Sequence, residues 1–274
     1  MNNPLSAYFR QPSLYIKLPS GGRHWPADSV NIPMTQELPV LSMTAGDEIL
    51  LKTPDALING QSTVSLIESC IPAIVDAWQT PITDMETILI AIRIASVGDT
   101  LSLEVACPKC REEHRYDVDL KNQLDHFTVS DWDRKLTVTD LTFEFWPINY
   151  QQQTEFSNRI FQHQKQMQQL NALENADERE QIASQIIADI NQLETAFVIK
   201  SIRSVAVRGQ LVREPAHIEE FVMNCEKKMR HSSKPPSSRH HEGKRQGRAF
   251  RIRTRALSSD TLQRTMVKAL GNEG

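Results

Sequence analysis

Between residues 83 and 120 the apolar positions change period, and the change separates two kinds of element. The run Ile88-Leu-Ile-Ala-Ile-Arg-Ile-Ala95 is apolar almost all round, which predicts a buried helix rather than an amphipathic one. Thr83 and Glu86 stand at capping-box spacing before it, and Gly98 is placed to take the left-handed position that ends a helix. Beyond Gly98 the period falls to two. Leu101, Leu103 and Val105 share one face of a strand, and Tyr116, Val118 and Leu120 share one face of a returning strand. The pair predicts a hairpin whose turn carries Cys107-Pro-Lys-Cys110.

The remaining pattern fills in around this unit. Leu14–Leu18 reads as a strand, and Pro19-Ser-Gly-Gly-Arg-His-Trp-Pro26 as a turn. Its two glycines could cradle a phosphate, but no strand-to-helix phosphate-loop pattern follows, so the turn reading stands. Thr44 begins a short helix carrying Ile49, Leu50 and Leu51. Thr53-Pro54-Asp55 opens another that Gly60 stops, and a third runs through Val64, Leu66, Ile67, Cys70 and Ile71 to Pro72. Lys135–Thr139 and Leu141–Phe145 alternate as strands closed by Pro147.

Residues 150–172 and 178–206 read as helices. Phe156, Ile160, His163, Met167 and Leu170 repeat along the first, and Ile182, Ile186, Ile190, Leu193 and Phe197 along the second. These spacings predict an antiparallel helical hairpin with a coiled-coil-like seam and a glutamine-rich polar face at 162–169. His163 is read as a satisfied seam residue. Pro215 to about Lys228 forms a further short helix.

The fold class is α+β: an N-terminal helical layer with a zinc-knuckle-like Cys-x-x-Cys β-hairpin, a small antiparallel sheet, a long antiparallel helical hairpin and a disordered basic C-terminal tail. The predicted segments are 1–40 (extended), 41–148 (helical layer, hairpin and sheet), 149–228 (helical hairpin and short helix) and 229–274 (tail).

Composition narrows the classes. A hydrophobic fraction of 39% and a charged fraction of 24% over 274 residues fit a soluble globular protein. Arg93 interrupts the best candidate for the roughly 18 apolar residues of a membrane span. The N-terminus lacks the basic start and apolar stretch of a secretory signal, and only four cysteines are present. A reducing, cytoplasmic setting is expected. The charge is divided. Residues 229–274 hold 11 Lys+Arg against 3 Asp+Glu, leaving 20 against 31 in residues 1–228.

The candidate chemistry is metal binding. Two thiolates at Cys-x-x-Cys spacing on one hairpin turn can both reach a Zn²⁺ at about 2.3 Å, giving half of a tetrahedral site. His114 is a weaker third ligand. A fourth would come from Cys225, His126 or a neighbouring chain. Reduced thiols on a plain hairpin, and a redox pair, are the competing readings; the redox type belongs where a strand enters a helix rather than between two strands. Cys70 reads as a small buried hydrophobe. No hydrolase elbow, nucleotide loop, dinucleotide fingerprint or metalloprotease motif occurs, so no enzyme is expected. Asp84 and Glu86 read as cap and dipole partners of their helix.

Five pieces in register then carry a resemblance: Leu18-Pro-Ser-Gly-Gly-Arg23, Met43 through Gly60, Ser69-Cys-Ile-Pro-Ala73, Leu89-Ile-Ala-Ile-Arg-Ile-Ala95 and Cys107-Pro-Lys-Cys110. Together they resemble the baseplate protein family of T4-like contractile-tailed bacteriophages, strongly over residues 15–120 and more weakly to about 228. The resemblance implies a baseplate hub subunit or hub-assembly protein without catalysis. Its partners would be other hub or tail proteins, met in the host cytoplasm during assembly or in the virion tail baseplate. It also implies a second Cys-x-x-Cys near the C-terminus that would complete a four-sulfur site, whereas this chain has no cysteine after Cys225. Residues after about 228 are therefore open to three readings: a segment translated out of the ancestral frame, an inert tail, or a nucleic-acid arm using Lys244, Arg245 and Arg248. The last supports an alternative function, a zinc-ribbon nucleic-acid adaptor.

Overall fold

A computed structural model of the chain describes residues 9–53, 59–106, 112–125, 132, 135–170 and 175–225. They fall into two compact units, one within Met1–Val129 and the other within Ser130–Gln246.

In the first unit, β1 (Pro12–Ile16) pairs antiparallel with β2 (Leu38–Leu41). The sequence reading set β1 two residues later and passed over β2, whose Pro39 obscures it. Residues 19–25 form the expected turn. Gly21 and Gly22 have φ of +60° and +81°, and a Cβ on Gly22 would lie 2.1 Å from Ile32 Cδ1. Helix α1 (Ala45–Leu51) starts in a capping box between Thr44 and Asp47. Gly60, left-handed at φ +81°, opens α2 (Gln61–Cys70). The helix it was expected to end falls on residues 54–58, outside the described residues.

Helix α3 (Ile82–Val97) is buried as its composition predicts. Met85, Ile88, Ile90, Ala91 and Ile92 are all buried, and the helix packs against α2, β1 and β2. Each such isoleucine contributes about 1.5–3 kcal/mol relative to an exposed one. Two expectations about its ends are corrected. The Thr83–Glu86 capping box is not formed: the N-cap is Pro81, without a side-chain cap bond. The helix starts two residues earlier than that box requires, behind Pro81 with its fixed φ, and the Thr83 hydroxyl is buried with no hydrogen-bond partner among the described residues. Gly98 has φ 118° and ψ 174°, a glycine-only extended conformation rather than a left-handed helical one.

The turn at Gly98 leads into the hairpin of β3 (Thr100–Ala106) and β4 (Glu113–Asp119), followed by α4 (Leu120–Asp125). Leu101 lies opposite Val118, and Leu103 opposite Tyr116. Leu101 and Leu120 form a small core with Ile90 of α3, onto which Leu103, Val118 and Leu124 pack. This anchors the base of a ribbon that two strands alone would hold only marginally in water.

In the second unit, β5 (Leu136–Val138), β6 (Leu141–Phe145), β7 (Ile202–Val207) and β8 (Gln210–Val212) form one antiparallel sheet in that order. Helices α5 (Tyr150–Gln169) and α6 (Ala176–Lys200) are inserted between β6 and β7. The helix expected to reach residue 206 therefore ends at Lys200. Its continuation, rich in β-branched residues, pairs with β6, and Arg208-Gly209, with φ of +47° and +82°, turns it into β8. Strands β5 and β6 thus complete a sheet with segments beyond the helices, not with the preceding hairpin.

The seam of α5 and α6 forms. Phe156 meets Phe197 with ring centroids 4.9 Å apart, and Leu170 and Ile186 are buried. Ile182, expected on the seam, is partly exposed, and Ala183 beside it lines a groove. Helix α7 (Pro215–Asn224), with proline in its first turn, buries Ile218 and Val222 and sets Phe221 6.1 Å from Phe143. The 229–274 segment and its three readings lie outside the described residues. Among the described residues no helix is long and apolar enough to cross a membrane.

Candidate functional site

The hairpin positions what is described of the candidate metal site. His114 pairs across the ribbon with Val105, next to the end of the described pairing at Ala106–Glu113. Its ring lies 6.4 Å from that of Tyr116, and both side chains are exposed. Cys107, Cys110 and His126 lie outside the described residues. Cys225 belongs to the second unit, where its thiol donates to the Val222 carbonyl at 3.5 Å. Among the described residues no three His, Cys, Asp or Glu side chains gather into a metal-holding group. Zinc at this hairpin would depend on Cys107 and Cys110, with His114 as the described candidate ligand in the ribbon.

The best-built polar cluster is elsewhere, at Asp84. This carboxylate is fully buried near the start of α3 and accepts from the Ser20 N–H (2.8 Å), the Ser20 hydroxyl and the Trp25 indole N–H (2.7 Å). Burial pushes its pKa up; the bonds from Ser20 and Trp25 and the nearby His24 pull it down. Glu86, two residues on, has its carboxyl pushed up to about 7 by burial. Arg10 makes a second tie, donating to the Ser42 and Ser69 carbonyls at 2.7 Å each and to Asp47 at 3.5 Å. Burial, foremost, also pushes the adjacent Cys70 thiol up to about 11, so it stays protonated and unreactive. All three of Asp84's named donors are spent on the chain itself, which makes it a fastener of the Ser20–Trp25 turn. Sequence reasoning assigned it to its own helix because the partners are some 60 residues away.

The turn and the strands just described delimit a match to known proteins. Residues 17–207 match the family model described as T4 bacteriophage base plate protein. The chain belongs to this family. No curated protein and no solved structure matches it. In this base plate protein the matched span begins just before the Ser20–Trp25 turn and ends at the last residue of β7, so it takes in both the Asp84 fastener and the complete helical hairpin.

Proposed function

We propose that the protein is a structural or assembly component of the hub of a contractile phage tail baseplate, acting through contacts with other hub or tail proteins and catalysing no reaction. Membership of the base plate family over residues 17–207 carries this reading. The Asp84 cluster supports it, since its hydrogen bonds go to its own fold. The protein works in the host cytoplasm during assembly and in the virion tail baseplate.

Structural zinc is part of the proposal. Cys107 and Cys110 hold it, with His114 as the weaker third ligand, and the metal ties the hairpin tip to its surroundings. Metal analysis of purified protein should give zinc that is lost in Cys107→Ser and Cys110→Ser variants; no zinc in freshly prepared wild-type protein would end this part of the reading.

Disrupting the gene and examining particles by electron microscopy tests the whole. The expected result is loss of normal baseplates, restored by the gene supplied in trans. Normal baseplates and infectivity without the protein would overturn it.

A further inference from the structure

The two flanks of the α5–α6 hairpin differ. On one, Lys200 pairs with Glu155 at 3.8 Å and Gln185 donates to Asp189, so these charged groups have partners within the hairpin. Ile182 lies on this flank, four residues before Ile186 and seven before Asp189.

The other flank carries a groove of about 500 Å³, lined by Gln164, Met167, Gln168, Leu170, Arg179 and Ala183. The helical repeat extends it. Phe161 precedes Gln164 by three residues and Ile187 follows Ala183 by four, so both continue the groove wall, and they are 51% and 53% exposed. The groove lining is apolar or amide apart from Arg179, at its end nearest the start of α6. Its α6 rim is acidic, because Glu180, Ile187 and Glu194 recur at seven-residue spacing and form one stripe. The cation on the α5 side, Lys165, stands at the outer edge, beyond Phe161.

A two-helix hairpin with half-exposed apolar side chains is an incomplete bundle, and a third helix in the groove completes it. The stripe of carboxylates selects the sign of that helix. Helix α6 itself carries five acidic groups against two basic, so the same face of a second copy would bring like charge to like charge. We propose that this face of the hairpin receives an amphipathic helix of another baseplate protein, with apolar residues entering between Phe161 and Ile187 and lysine or arginine meeting Glu180 and Glu194. This rests on the baseplate reading and names the surface through which it operates.

The test uses the full chain and two synthetic three-heptad peptides with identical leucine seams, one flanked by lysine and the other by glutamate, followed by fluorescence anisotropy. The lysine peptide should bind. Phe161→Glu and Ile187→Glu should each weaken it roughly tenfold or more, Ile182→Glu on the opposite flank should leave it unchanged, and Glu180→Lys with Glu194→Lys should transfer preference to the glutamate peptide. Helix content by circular dichroism checks that the variants fold. Equal binding of both peptides, binding of neither, or an equal loss in Ile182→Glu would overturn the proposal. So would concentration-dependent self-association abolished by Ile187→Glu, which would make the occupant a second copy. Complementation separates this from the broader reading: if Ile187→Glu restores normal baseplates to a gene-disrupted phage, the groove is not the contact, while the baseplate role stands.

Discussion

Helices α3 and α6 bury their surfaces in opposite ways. In α3, 16 residues long, apolar side chains are covered on nearly every side; in α6, 25 residues long, Ile186 alone is buried. The first unit thus draws its stability from a core and two polar fasteners. The helical hairpin owes its form to one seam and to attachment at the sheet, and most of its surface is exposed. The helix that the fold buries and the helix that the proposal gives to a partner are different, and substitutions should distinguish them.

The largest expected effect is at the fastener. Asp84→Ala leaves the Ser20 and Trp25 donors buried without their acceptor, and should cost about 3–5 kcal/mol in chemical denaturation. A loss no greater than that of a surface carboxylate would refute the fastener. Next comes a paired comparison of isoleucines. Ile88→Ala in α3 should cost about 2–5 kcal/mol, whereas Ile187→Ala on the exposed flank of α6 should change stability by less than about 0.5 kcal/mol. Equal costs would erase the contrast between the units.

A pH series sharpens it further. Glu86 has a folded pKa of about 7 against an ordinary 4.5, so the folded state keeps its proton longer than the unfolded state and stability falls as pH rises through that window. Glu86→Gln should remove this fall, gaining about 1 kcal/mol near pH 8 relative to wild type and little near pH 4. A constant difference across the range would contradict the assignment. The smallest effect is on the hairpin. Lys200→Ala breaks an exposed pair at 3.8 Å and should cost at most about 0.5 kcal/mol.

Local periodicity carried the parts of the fold that local physics determines. The change of period at Gly98 gave the β3–β4 hairpin, and the three- and four-residue repeats gave the α5–α6 seam. The misses share a cause. Ile202–Val207 follows the helix with no proline or glycine before Gly209 to mark a break, and only pairing with β6 makes it a strand. Asp84 has the residue type and position of a helix-start carboxylate, and its role depends on Ser20 and Trp25, which no local window includes. At the candidate metal site the sequence supplied Cys107 and Cys110 by spacing, and the described structure adds the register of His114. The groove on the hairpin was missed because the seam residues alone were followed; the Glu180, Ile187 and Glu194 stripe was legible in the same helix.

The central claim, that the helical hairpin is the arm by which this protein joins a baseplate, is tested most directly by lysine crosslinking and mass spectrometry of baseplates isolated during assembly. The account predicts crosslinks from Lys165, one turn from Phe161 on α5, to another tail protein. Crosslinks from Lys165 only within its own chain, or no protein in any baseplate fraction, would contradict it.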